Sequence, residues 1–401
     1  SRFGRDNQFA PFWSVGLAWN VNREKFWTGT GSMKIRASVG SVGSSKFSAD
    51  QALTRFVYNS DGEYNGIYGA ELLQYGNTAL KWQNTLKYNL GLDMTVWKNI
   101  ITLNFDAYLE RTENLLMDVD VAPSTGFTSY KENMGSLDNK GIEARLRLNL
   151  LRGDDKGWNW NVTLSASHER DKIRKLSNAM KAMNAEAMKI ENNTDSTSVF
   201  TMYEVGRSQK ALMLVKSLGI DPATGNELYL KRDGSTTFDY DPNDRVEVGN
   251  TTPKIQGFIN TNLSWNHIEL YMAFNYEYGA KIYNSTLAQK VEGASPYQNA
   301  DKRVLYDRWK KPGDIAMFRR IDDQGPVYQS SRLVQKNNYI RMSSLSLTYD
   351  IPREKLARTF IERCKFTFSM TDVFRISSIK QERGTSYPFA WTYSFGVNLT
   401  F

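Results

Sequence analysis

Cysteine and histidine are scarce in this chain of 401 residues. The single cysteine, Cys364, excludes an internal disulfide and a cysteine-based metal site. There are only two histidines, His168 and His267, and no Gly-x-Ser-x-Gly stretch accompanies them, so a serine hydrolase lacks its usual signature. No run approaches the roughly 18 apolar residues that a membrane-spanning helix needs. These absences exclude a disulfide-stabilised fold and a bundle of membrane helices.

Charge and acidic spacing also exclude several kinds of site. The formal net charge of +8 comes from 51 basic and 43 acidic residues spread along the chain, and no nucleic-acid-binding motif accompanies it. Asp239, Asp241 and Asn243 have the spacing of the first calcium-loop ligands, but Asp244 and Asn250 stand where that loop needs Gly and Glu. We therefore predict an Asx-rich turn there, with no metal, cofactor or nucleic acid bound by the chain.

The feature that the sequence does have is a period of two. The chain ends in YSFGVNLTF, where five apolar residues alternate with Ser, Gly, Asn and Thr. Such alternation indicates a β-strand with one apolar and one polar face. The same pattern predicts eleven strands, at about 13–21, 33–40, 86–96, 101–107, 142–150, 158–166, 255–265, 268–278, 339–349, 365–374 and 391–401. A phase slip near Ser344 indicates a bulge.

The connections between these strands alternate strictly in length. Long ones are predicted at about 41–82, 111–140, 170–254, 279–338 and 375–391, and short ones at about 22–31, 98–99, 151–157, 266–267 and 350–364. Outer-membrane barrels sort their connections in this way, with long extracellular loops and short periplasmic turns. A soluble β-sandwich fits the composition but not this sorting.

Two groups of side chains have places in such a barrel. An aromatic girdle at the periplasmic strand ends is predicted from Trp19, Trp97, Trp160 and Trp265. The charged residues in mid-strand would line a wet or plugged lumen, although a sandwich would leave them in solvent on its outer face. This charged group is Lys34, Arg36, Asp93, Asp106, Glu143, Arg145 and Arg147.

A family resemblance rests on motifs in the same order along essentially the whole chain. They are SRFGRDNQFAPFWSVGLAWNVNREKFW, MKIRASVGSVG, LKWQNTLKYNLGLDMTVWKN, NMGSLDNKGIEARL, EVGRSQ, GIDPATG, GNTTPKIQGF, RWKKPGD, YIRMSSLSLTYDIP and the terminal aromatic strand. The chain resembles the barrel half of SusC/RagA-type TonB-dependent outer-membrane transporters. The resemblance implies an all-β fold, a transmembrane antiparallel β-barrel of which this chain, residues 1–401, supplies about eleven C-terminal strands of 22.

The resemblance also implies a function and partners. It implies TonB-dependent import of a large nutrient, an oligosaccharide or an oligopeptide, across the outer membrane of a Gram-negative bacterium. The partners implied are a SusD-like surface lipoprotein as a lid, the TonB complex, the barrel-assembly machinery, and lipid or lipopolysaccharide. Because Ser1 falls inside a motif from the middle of such a barrel, the plug, the TonB box and the first strands are expected outside this chain.

Candidate site residues come from the long loops and the terminal strand. Aromatic rings in extracellular loops offer flat faces to sugars or peptide side chains, or they pack the loops together. The candidates are Tyr64, Tyr68, Tyr75, Tyr130, Tyr203, Tyr297, Trp309, Tyr387 and Trp391. The terminal Phe401 is the expected assembly signal. No catalytic residue is predicted, and the alternatives to a transporter are a surface adhesin or structural barrel and, less favoured, a hydrolase in a barrel.

Overall fold

A computed structural model describes residues 11–44, 53–64, 66–77, 80–120, 129–133, 135–153, 157–189, 202–295, 297, 300–323, 325–380 and 391–401. Its strands are β1 (Trp13–Asn20), β2 (Gly31–Ser44), β3 (Arg55–Tyr64), β4 (Ile67–Gln74), β5 (Gln83–Val96), β6 (Ile101–Glu113), β7 (Leu116–Asp120), β8 (Ser129–Asn133), β9 (Ser136–Arg152), β10 (Trp158–Lys175), β11 (Ala211–Ile220), β12 (Glu227–Leu230), β13 (Thr236–Thr237), β14 (Arg245–Asn250), β15 (Ile255–Trp265), β16 (Ile268–Tyr283), β17 (Val334–Asp350), β18 (Arg363–Ser377) and β19 (Thr392–Thr400). The helices are α1 (Asn178–Lys189) and α2 (Arg353–Leu356). No helix in these ranges is long and apolar enough to cross a membrane.

One large sheet dominates the described residues. Its eleven strands are all antiparallel and follow the order β1-β2-β5-β6-β9-β10-β15-β16-β17-β18-β19. These are the eleven strands that the sequence predicts, so the predicted all-β architecture is confirmed. Within the described residues β1 and β19 each pair on one side only. Both edges of the sheet therefore carry backbone groups without a partner strand there.

The sheet has one apolar face and one polar face. On the apolar face Leu17 lies opposite Ala37, which lies opposite Leu90 in the next strand. Leu17 is 76% exposed, and Phe395 at the other end of the sheet is 82% exposed, because nothing in the described structure covers this face. Alternation places the charged mid-strand residues on the opposite, polar face.

The predicted bulge and the tightest turns lie where the sequence indicates them. Both pairings of β17 shift register between Met342 and Ser344, which confirms the bulge. Trp97, Lys98 and Asn99 all have positive φ, at 53°, 52° and 65°, and turn β5 directly into β6. Successive residues in the left-handed conformation let the chain reverse in a tight turn, because the twist of such a turn matches the twist of the two strands that it joins.

A glycine and a tyrosine lock three strands together. Gly257 of β15 lies opposite Tyr276 of β16, and the tyrosine Oη donates to the carbonyl oxygen of Ser165 in β10 at 2.7 Å. A Cβ on Gly257 would lie 2.0 Å from that same carbonyl oxygen. The strands can approach this closely only because residue 257 has no side chain.

The long connections contain secondary structure and apolar cores of their own. They hold the hairpins β3–β4 and β7–β8, helix α1, and a four-stranded sheet of order β13-β12-β11-β14. The start of β11, residues 211–215 (ALMLV), is buried at every position. Its apolar run lacks a period of two because both of its faces are covered.

A buried ionic cluster joins the two longest connections, residues 176–254 and 284–333. Arg332 pairs with Glu227 at 2.9 Å and with Glu292 at 2.5 Å, and Arg319 pairs with Glu292 at 2.9 Å. Beside the cluster lies an apolar core of Leu287, Ala288, Val291, Phe318 and Leu333. Glu227 belongs to one connection and its arginine partner to the other, so the two connections fold together. We call residues 202–333, apart from strands β15 and β16 of the large sheet, the loop unit.

Candidate functional site

A continuous row of side chains crosses the polar face of the large sheet at one level. Cross-strand pairing puts each member directly opposite the next in the neighbouring strand. Backbone pairing of this kind brings side chains within about 4.5–5.5 Å at Cβ, so neighbours in the row interact. The row reads Arg36, Gly91, Asp106, Glu143, Ser167, Gln256, Glu277 and Tyr339.

An ion pair spans a glycine at one end of this row. The Arg36 guanidinium donates to the Asp93 carboxylate at 2.8 Å and reaches across Gly91 to Asp106 at 3.1 Å. A Cβ on Gly91 would lie 2.7 Å from both the Arg36 Cζ and an Asp106 oxygen. Asn104 donates to the second Asp93 oxygen at 2.9 Å. Residue 91 must therefore be small, so that Arg36 can contact the carboxylates of Asp93 in β5 and Asp106 in β6 at the same time.

A cavity of about 630 Å³ opens on the polar face in the middle of the row. Its walls carry both signs of charge together with amide and aromatic groups. The side chains that give it this character are Asp106, Glu143, Arg145, Gln256, Phe258 and Glu277. A second cavity of about 490 Å³, which includes Lys87 and Glu110, shares Asp106 and Glu143 with it. This polar-face cavity can offer charge-assisted hydrogen bonds and one aromatic surface to the same ligand.

Neighbouring contacts hold several of these groups in place. The Arg145 guanidinium lies 5.7 Å from the centroid of the Phe258 ring. Tyr339 donates its hydroxyl to a Glu277 oxygen at 2.7 Å, and Arg375 lies 3.9 Å from the centroid of the Tyr339 ring. Glu143, in contrast, faces Asp106 directly across the strands. Two carboxylates in that position repel each other, so a cation between them would be favourable.

The sequence pattern indicates half of the side chains that give this cavity its character. It predicted Asp106, Glu143 and Arg145 as mid-strand polar residues but named neither Gln256 nor Glu277. The signal was available, because both alternate with apolar neighbours in predicted strands. What the sequence could not supply is the pairing register that brings distant strands to one level.

The structure sorts the predicted loop aromatics into two groups. Tyr203 is buried among Val119, Ile173 and Met180, and Asn184 both donates to its backbone oxygen and accepts from its backbone nitrogen. Three more pack within the connections. Tyr75 and Tyr130 meet edge to face at 6.2 Å, and the Trp309 Nε1 donates to the Pro222 carbonyl at 2.9 Å. The exposed ones are Tyr68, Tyr297 and Trp391, together with Tyr75, which stays half exposed despite its ring contact.

Tyr64 is the last residue of β3, and Tyr387 lies outside the described residues. Phe401 stacks on Phe360 with ring centroids 5.6 Å apart. Its role as an assembly signal stays a prediction, and so does substrate contact by any of the loop aromatics.

Burial and charge shift the pKa of several groups in the loop unit. Burial alone would lower the pKa of Arg332, but the carboxylates of Glu227 and Glu292 raise it overall. Burial lowers the pKa of Arg308, whose guanidinium donates to the Val291 carbonyl at 2.6 Å. Arg332 is therefore held as a cation between two acids.

None of the described residues forms a group of three or more His, Cys, Asp or Glu side chains suited to a metal.

Comparison with known proteins connects these features to one family. The model of the family "TonB dependent receptor-like, beta-barrel" matches residues 1–197. TonB-dependent receptor P3 of Formosa agariphila is 25% identical over 100% of this chain and 43% of its own length. TonB-dependent receptor SusC of Bacteroides thetaiotaomicron is 29% identical over 44% of this chain and 18% of its own length.

A solved structure of the RagAB peptide transporter matches the fold. It covers 100% of this chain and 44% of its own, with a TM-score of 0.80 and 22% identity. The chain has the barrel fold of TonB-dependent receptors. The resemblance to SusC/RagA-type transporters is confirmed, and the chain is an outer-membrane protein. It spans less than half the length of the relatives that it matches along its whole sequence.

In a receptor barrel the two faces of the sheet have separate roles. The apolar face contacts lipid and the polar face lines the lumen. At the edge with the short connections, Trp158 stacks on Trp265 at 5.3 Å. Of the four predicted girdle residues, Trp19 lies near the end of β1 and Trp97 follows β5 directly. Trp160 is the third residue of β10 and Trp265 is the last of β15, so all four lie at that edge. The polar-face cavity therefore opens toward the lumen.

Proposed function

We propose that this chain is the barrel part of an importer that carries a large nutrient across the outer membrane. The observation that carries the proposal is the row of ionic and polar side chains, with its 630 Å³ cavity, on the lumen-lining face of a receptor barrel. A structural barrel or an adhesin needs no such binding surface inside its wall. The relatives named as receptors and the RagAB peptide transporter support transport as the activity.

Of the two substrate classes, the cavity favours oligopeptides. Glu143 and Glu277 are suited to ammonium groups, Arg145 to a carboxylate, and Phe258 to an apolar side chain. A neutral oligosaccharide would leave these charges without partners, which costs binding free energy. An oligosaccharide is therefore the second candidate.

The same proposal assigns orientation and partners. We place the long connections outside the cell and the short ones in the periplasm, and we expect a SusD-like lipoprotein to rest on the loop unit as a lid. The plug and the TonB box would belong to the part of the protein beyond residues 1–401, along with strands that pair with β1 and β19. Unpaired strand edges in lipid cost several kcal/mol per backbone group, so the two sheet edges support this division.

Uptake of labelled oligopeptides by cells that carry the complete protein tests this proposal. We expect uptake to stop when a protonophore collapses the proton-motive force. A Glu143→Gln/Glu277→Gln variant should raise the half-saturating peptide concentration roughly a hundredfold or more, because hydrogen bonds to charged groups contribute about 1.5–3 kcal/mol each.

A Glu354→Gln/Glu362→Gln variant is the matched control, since it removes two exposed carboxylates near the short connection that contains α2. It should transport like the wild type. Peptide uptake that survives the protonophore would contradict the proposal. Energy-dependent uptake of oligosaccharides but not of peptides would show that the substrate is an oligosaccharide.

A further inference from the structure

The apolar face changes character abruptly toward the long connections. On β9, Ile142 is 48% exposed and belongs to the apolar face, and Lys140 follows on the same face two residues further toward that edge. On β10, Arg170 is two residues from His168 in the same way. Two residues along a strand span about 7 Å. A row of charge thus begins one side-chain level beyond the last apolar row.

Five basic side chains form a patch that begins at this level and extends two levels further toward the long connections. They are Arg111, Lys140, Arg170, Lys172 and Arg174, which we call the basic patch. Pairing register puts Lys140 directly opposite Arg170, and Arg111 and Lys172 on either side of Asp138. Like charges directly opposite each other destabilise a sheet. The Lys140–Arg170 pair therefore needs a negative charge from elsewhere.

The chain supplies little of that charge on this face. Asp138 accepts from Arg111 at 3.1 Å and lies 3.6 Å from Arg174, while Glu113 lies one level further out on β6. Lys140, Arg170 and Lys172 have no ion pair with any residue in the described ranges, and all three are exposed.

The acids of β10 point the other way. Glu169 and Asp171 alternate with the basic residues of β10 and belong to the polar face, where Asp171 accepts from the backbone nitrogen of Gln209 at 2.7 Å. On β10 charge is thus sorted by face, with Arg170 and Lys172 on the lipid side and Glu169 and Asp171 on the lumen side. Groups in the lumen therefore cannot supply the negative charge that these cations need, because the cations point away from the lumen.

We propose that the basic patch binds the phosphate groups of lipopolysaccharide, the phosphorylated glycolipid of the outer leaflet. Lys and Arg form charge-assisted hydrogen bonds with phosphate, and each basic residue near an anionic leaflet contributes about 1 kcal/mol. The apolar row beneath the patch contacts the acyl chains of the same lipid. The inference rests on the orientation proposed above, with the long connections outside, but not on what the protein imports.

The test uses the complete protein, purified from outer membranes in detergent, and measures its unfolding temperature with added lipid. The probes are phosphorylated lipid A, the same lipid after enzymatic dephosphorylation, phosphatidylglycerol and inorganic phosphate. We expect only phosphorylated lipid A to raise the unfolding temperature of the wild type. A Lys140→Gln/Arg170→Gln variant should bind it roughly 30-fold more weakly, since two charges near the leaflet are lost.

Two control variants keep the result interpretable. Lys310→Gln/Lys311→Gln removes the same charge from the loop unit, and Lys140→Arg/Arg170→Lys keeps the charge in place; both should bind lipid A like the wild type. Equal binding of lipid A by the Lys140→Gln/Arg170→Gln variant would overturn the inference. Equal protection by inorganic phosphate or by dephosphorylated lipid would also overturn it. Protection by phosphatidylglycerol alone would overturn the inference, because it would place the patch at the inner leaflet. The import proposal would still stand or fall by the uptake experiment.

Discussion

At the scale of single residues, two glycines of the large sheet differ in what a methyl group would meet. A Cβ on Gly257 meets the Ser165 carbonyl oxygen and the Tyr276 hydroxyl, whereas a Cβ on Gly396 of β19 meets no described atom within 4 Å. Both lie in strands, and neither has a positive φ. Alanine substitutions at these two glycines therefore separate the effect of steric crowding on stability from the effect of lost backbone flexibility.

We expect Gly257→Ala to lower the free energy of unfolding by about 1–3 kcal/mol, the usual cost of overpacking, because a backbone oxygen cannot move aside. Gly396→Ala should be neutral or stabilising by up to about 1 kcal/mol through the unfolded state. Urea titration of the folded, heat-modifiable form in detergent measures both. Equal stability of the two variants would show that the contact at Gly257 relaxes freely.

At this scale the sequence predicts which face a side chain occupies but not which residue it contacts. The face on which Asp106 or Glu143 lies follows from alternation, which is local and visible in the sequence. That Arg36 reaches Asp106 across Gly91 depends on the register of three strands, and β2 and β6 are more than 50 residues apart in the chain. Local patterns do not encode such a register.

At the scale of elements, the predicted strands are right in number and order but too short at one end. β10 was predicted to end near residue 166 and continues to Lys175. Beyond the lipid belt both of its faces are polar or covered by loops, so the alternation that identifies a strand disappears while its hydrogen bonding continues. The strand β11 was missed for the opposite reason, because its ALMLV run is apolar on both faces.

The loop unit gives the element-scale prediction. Arg332 is buried between Glu227 and Glu292, and removing one partner of a buried ion pair costs about 3–5 kcal/mol because the other charges stay buried. We expect Arg332→Met to open the loop unit to an added protease on intact cells, while the membrane strands stay folded.

Arg320→Met is the matched control, because among the described residues Arg320 pairs only with Asp322, at an exposed position. It should leave protease resistance unchanged. If Arg332→Met resisted cleavage as well as the control, the ionic cluster would not hold the two connections together.

At the scale of the whole molecule, a division of labour follows from the architecture. One face of an eleven-stranded sheet is apolar and the other is ionic, and structured connections gather at one edge while short turns gather at the other. In an outer-membrane barrel this arrangement assigns lipid, lumen and cell surface to different parts of the same sheet. The proposed import path, the lid site and the lipid-binding patch all depend on that assignment.

Thiol labelling on intact cells tests the assignment most directly. Single cysteines at Ala223 and Lys311 in the loop unit, and at Lys25 and Glu354 in short connections, would be placed in a Cys364→Ser background of the complete protein; all four positions are exposed. A membrane-impermeant maleimide should label Ala223→Cys and Lys311→Cys in sealed cells, and it should label Lys25→Cys and Glu354→Cys only after the outer membrane is opened. Labelling of Lys25→Cys or Glu354→Cys in sealed cells, with Ala223→Cys and Lys311→Cys protected, would contradict the account.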